Sequence, residues 1–76
     1  MRKSNRKVCQ FAGETYAVTT TVMESSIAGK VVMRRFEVLS GPARGCAGGG
    51  RDMRKEYVHK AARFTIKKFA KEAFNV

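Results

Sequence analysis

The chain has 76 residues, 43% of them hydrophobic, and a formal net charge of +10. A core of this size supplies only about 3–5 kcal/mol, which excludes a second domain and gives a partner or a second copy something to add. There is no membrane-length apolar run, and the opening MRKSNRKVCQFAGETY has a basic start without an apolar stretch or a small-residue cleavage site, so a soluble, cytoplasmic protein is expected.

Residues 1–13 carry Arg2, Lys3, Arg6 and Lys7 with no acid and read as a basic N-terminal arm, with KVCQFA at 7–12 either a short strand or the end of that arm. Residues 14–76 read as a single small α+β domain. ETYAVTTTVME (14–24) and KVVMRRFEVLS (30–40) are dense in β-branched residues, and SSIAG between them has turn chemistry, which predicts a hairpin. Its even-numbered positions, Tyr16, Val18, Val22, Val32, Phe36 and Val38, form the better core face, with Thr20 and Arg34 as polar members. The odd-numbered positions mix Thr15, Thr19, Thr21, Arg35 and Glu37 with Ala17, Met23, Val31, Met33 and Leu39, an apolar content high for a solvent face.

GPARGCAGGGRD (41–52) holds most of the chain's glycines and its only proline, runs straight into a lysine-rich helical pattern, and is open to reading as a slack linker, a phosphate cradle or a distorted strand. From Asp52 the period changes to about 3.6. Val58, Ala61, Ala62, Thr65, Ile66, Phe69, Ala73 and Val76 share one arc, and Glu56, Lys60, Arg63, Lys67 and Lys71 lie opposite. The spacing predicts one amphipathic helix over about 52–73, capped by Asp52 and closed by a lysine-rich last turn. Tyr57 and Phe64 fall at the edge of the apolar arc, where lysine stems can cover them.

Little in the chain supports catalysis. Cys9 and Cys46 have no CxxC or Cys/His spacing and read as free thiols, and with one histidine, His59, no four-ligand zinc site can be assembled. The six acids are scattered among bases, so no paired carboxylates serve acid–base work. Gly45–Asp52 comes close to a phosphate-binding P-loop, but Arg51 replaces the lysine and Asp52 the magnesium-binding hydroxyl. No enzyme, metal or cofactor is expected.

The distribution of charge is more informative. Residues 14–40 are balanced, and the excess falls on residues 1–13, on Arg44 and Arg51, and on the helix with Arg54, Lys55, Lys60, Arg63, Lys67, Lys68 and Lys71. Segregation of this kind points to a polyanion, and flexible glycines before a helix suit phosphate contact.

The run Phe36-Glu37-Val38-Leu39-Ser40-Gly41, then Gly45, Gly48-Gly49-Gly50-Arg51, Arg54-Lys55-Glu56 and Ala61-Ala62, resembles the second half of the double-stranded RNA-binding domain, with Tyr16-Ala17-Val18 as its first strand. The likeness covers about residues 14–74. The family's opening helix and its Gly-Pro-x-His loop have no counterpart, and Tyr57 and Val58 replace the alanine and lysine of its helix motif. The resemblance implies a three-stranded antiparallel meander packed on one C-terminal helix, β-β-β-α, whose first bases bridge phosphates.

The expected function is therefore nucleic-acid binding, RNA favoured over DNA, through Arg51, Arg54, Lys55, Arg44 and Lys60 with Arg2, Lys3, Arg6 and Lys7 of the arm. The alternative is an interaction module, or an inhibitor of the kind phages encode, that docks Val31, Met33, Arg35 and Leu39 on an acidic protein or ribonucleoprotein surface. A homodimer could cover the same face.

Overall fold

The computed structural model describes residues 2–27 and 29–74. The elements follow in the order β1 (Arg2–Phe11), β2 (Glu14–Ser25), β3 (Gly29–Val38), β4 (Ala47–Arg51) and α1 (Lys55–Phe74). The strands form one antiparallel sheet in the order β1-β2-β3-β4, each beside its neighbour in sequence.

The class is α+β with a C-terminal helix, but the sheet has four strands rather than three. The basic arm is itself a strand, paired with β2 from Arg2↔Met23 to Phe11↔Glu14. Its turn is only Ala12 and Gly13, both left-handed at φ 50° and 79°, as a two-residue hairpin with the right-handed twist of its strands requires. Charge on β1 obscures it in the sequence. As an edge strand it has an unpaired outer rim, and lysine and arginine there also discourage pairing with other chains.

The glycine stretch is a strand as well. Gly48 pairs with Phe36, Gly49 with Arg35 and Gly50 with Arg34. The chain reaches β4 through a two-against-one bulge, in which Gly45 N–H donates to the Val38 carbonyl at 3.0 Å and Val38 N–H donates to Cys46 at 2.9 Å. Gly49 has φ 146°, and a side chain there would run into the Arg34 carbonyl. Gly48 lies beneath the Phe36 ring, whose Cε1 would be 2.9 Å from an added Cβ.

The helix begins later than its periodicity predicts. Asp52 does not cap it, because Asp52 is left-handed at φ 55° and extends the β3 ladder. Its N–H donates to the Val32 carbonyl at 2.7 Å, and its Oδ1 accepts from Val32 N–H at 3.5 Å. The first helical turn closes on the Arg54 carbonyl, which accepts from Tyr57 N–H at 3.0 Å and Val58 N–H at 3.2 Å. Arg34 fixes this lead-in from below, donating from Nη1 to the Met53 carbonyl at 2.6 Å.

The helix lies on the even-numbered face of β2 and β3. Val58, Ala62 and Ile66 pack with Tyr16, Val18, Phe36, Val38 and Ala43, and Cys9, Phe11, Cys46, Met53 and Ala61 border this core. Val22 and Val32 are only half-buried because they lie beyond the helix footprint. Ile66 is the last fully buried helical residue, and Phe69, at 38% exposure, already stands clear of the sheet. Val76, expected on the apolar arc, lies outside the described residues, as does the side chain of Ala73.

Cys9, Tyr16 and Val38 occupy one row across β1, β2 and β3, and Cys46, just before β4, continues it through the bulge. Three inter-strand steps of about 4.8 Å separate the two thiols, well beyond disulfide reach. Both cysteines are free.

Candidate functional site

Strand alternation divides the basic residues between two surfaces. On the sheet face opposite α1, the register places Arg6, Thr19, Arg35 and Gly49 in one row and Ser4, Thr21, Met33 and Arg51 in the next. A shallow groove crosses these rows, lined by Thr19, Thr21, Met33 and Arg35 and floored by Ala47 and Gly48–Gly50.

Arg6, Arg35 and Arg51 are exposed. The only acid at an outward position on this face is Glu37, one row away beside Ala17 and Ala47. Ser4 and Thr21 share a hydrogen bond at 3.2 Å, so part of the groove wall is hydroxyl. Arg2 is in register with Met23 at the far end of the face.

Among the described residues, no base is held by an acid in a salt bridge. The exposed bases among them, Arg6, Arg35 and Arg51 included, thus face solvent without a neutralising partner.

The expected phosphate cradle at the helix start is not assembled. Gly49, Gly50 and Arg51 belong to the β4 ladder, and Asp52 reverses the chain, so Arg51 faces the open side of the sheet while Arg54 and Lys55 begin the helix on the other. The hydrogen-bonded pairs alternate from Cys46/Val38 to Asp52/Val32, which directs the backbone of Gly48 and Gly50 into the sheet. Arg44 is exposed in the turn. Lys3 and Lys7 project on the helix side of β1, the reverse of Arg6. Lys60 lies on the outer face of α1, with Nζ 5.9 Å from the centre of the Tyr57 ring.

The apolar odd face expected as a protein-docking surface is smaller than the sequence suggests. Val31 is 6% exposed and Leu39 is half-buried, which leaves Met33 at 37% and, from β1, Val8 at 55%. In the sequence, Arg35 falls with that apolar patch and Arg6 with the N-terminal arm. The signal joining them is the β1 register, which depends on recognising Ala12-Gly13 as a turn.

No family model, no curated protein and no solved structure matches this chain.

Proposed function

We propose that the chain is a nucleic-acid-binding module that lays a phosphate backbone across the open face of its sheet. Support comes from a single observation: Arg35 lines a glycine-floored groove on the open face, Arg6 and Arg51 are brought from two other strands onto the rows that this groove crosses, and none of the three is in a salt bridge. Arginine suits this role because its planar fork meets phosphate oxygens two at a time. The glycines let a backbone or sugar approach the sheet closely. RNA is favoured over DNA because Thr19 and Thr21 line the groove with hydroxyls that can pair with a 2′-hydroxyl.

Fluorescence anisotropy with a labelled 20-mer, single-stranded or duplex, RNA or DNA, tests this across a salt series. Three phosphate contacts give a log K against log salt slope of about −2 for a single strand and nearly −3 for a duplex. Arg6→Ala, Arg35→Ala and Arg51→Ala should each flatten the slope by about 0.7–0.9. Because phosphate contacts position without reading bases, the loss should be similar for unrelated sequences. A flat salt response in the native protein, or native binding by the correctly folded triple variant, refutes the proposal.

A further inference from the structure

A second basic surface lies on the other side of the sheet. Between β1 and the first turns of α1 is an open cleft lined by Lys7, Tyr16, Glu56, His59, Lys60 and Arg63. Lys7 comes from β1, while Lys60 and Arg63 come from α1. None of the three is in a salt bridge. Aromatic rings underlie two of them: Arg63 lies 5.6 Å from the centre of the Phe11 ring, and Lys60 5.9 Å from that of Tyr57. Rings of this kind hold the cations without neutralising them.

His59 lies among these cations. The Tyr16 hydroxyl and His59 Nδ1 are 3.2 Å apart, and the arrangement in which Tyr16 donates puts the neutral ring's proton on Nε2, a further donor. Burial first, then the positive charges of Arg63, Lys55 and Lys7, hold the imidazole below its ordinary titration range, with Glu56 acting weakly the other way. Lys7 and Arg63 line the cleft together with a single carboxylate, Glu56.

We propose that this cleft binds a phosphate group, with Lys7 and Arg63 supplying charge and His59 Nε2–H a directed hydrogen bond. The phosphate belongs either to the end of a nucleic-acid strand, which rests on the function proposed above, or to a free nucleotide, which does not. Either way the site is separate from the open face, since Arg6 and Lys7 are neighbours in a strand and project to opposite sides.

His59 is the only histidine, so its ring resonances report the site directly by NMR. The groups facing it are Lys7 and Cys9 from β1, Tyr16 from β2, and Lys55, Glu56, Lys60 and Arg63 from α1. Pyrophosphate should raise its titration midpoint by about one unit relative to sodium chloride at equal ionic strength, because an adjacent anion favours the charged ring. Lys7→Gln with Arg63→Gln should abolish that rise, whereas Arg6→Ala with Arg35→Ala and Arg51→Ala should leave it intact even where strand binding is lost.

Two further ligands separate the sources. Binding tightened about tenfold by a 5′-phosphate, and lost in the Lys7/Arg63 variant, assigns a strand end; a midpoint shift with a nucleoside diphosphate but no 5′-phosphate preference assigns a free nucleotide. A midpoint unmoved by pyrophosphate, or moved equally in the folded Lys7/Arg63 variant, overturns the proposal.

Discussion

Three consecutive glycines in β4 look alike in the sequence and should respond to alanine in three different ways. At Gly49, alanine meets two penalties: a left-handed φ of 146°, and a Cβ driven against the Arg34 carbonyl and the Arg35 backbone. Backbone strain of this kind costs about 1–3 kcal/mol, and forcing atoms into packed space about as much again. The sum, about 2–6 kcal/mol, is comparable to the roughly 3–5 kcal/mol available to a domain this small. Gly49→Ala should therefore lose most of its stability at 25 °C.

At Gly48 the added methyl meets only the edge of the Phe36 ring, 2.9 Å away, which can tilt. About 1–3 kcal/mol is expected there. At Gly50 nothing lies within 4 Å and the backbone is ordinary, so alanine should be neutral or should stabilise by about 0.4–1 kcal/mol through a less flexible unfolded chain. Urea unfolding followed by circular dichroism ranks the three. Equal costs at Gly49 and Gly50, or a Gly49→Ala protein within about 0.5 kcal/mol of native, would refute the close approach of β3 and β4.

Two more outcomes follow from the core and the cleft. Ile66→Ala removes a side chain that is 1% exposed and should cost about 2–5 kcal/mol, whereas Phe64→Ala, at 69% exposure, should cost under about 0.5 kcal/mol; thermal melts distinguish them, and reversed costs would mean that α1 is rotated on the sheet. Because the folded state holds His59 below its ordinary range, the unfolded chain takes up its proton first on acidification. This contribution to stability should thus be fully present above about pH 6.5, the unfolded value, and be lost as the pH falls below it through the lower folded midpoint, a dependence that His59→Gln should remove in pH-resolved melts.

The hairpin and the helix were legible in the sequence because their apolar residues follow one period for long enough to be seen. Tyr16, Val18, Phe36 and Val38 repeat every second position, and Val58, Ala62 and Ile66 every fourth, and these seven form most of the core. β1 was obscured because it is an edge strand that presents charge on both faces, and α1 covers only its Cys9–Phe11 end. The helix start was misplaced because Asp52, a good capping residue in type, is used by the neighbouring strand.

For the candidate site, the basic residues were identified but not their grouping. Arg6, Arg35 and Arg51 are far apart in sequence and come to one face only through three strand registers. Arg51, Arg54 and Lys55 are close in sequence yet separate at the reversal at Asp52.

The meander also bears on how the chain reaches this state. Every strand pairs with the one just before or after it, so the sheet can close hairpin by hairpin across short loops. Only the helix must return over a long stretch, and the Tyr16–His59 hydrogen bond spans 43 positions. The main loop-closure entropy therefore falls on helix docking, which should be the slow, cooperative step of folding. That step also brings Lys7, His59 and Arg63 together, so the cleft is completed last, while the open face needs only the strands.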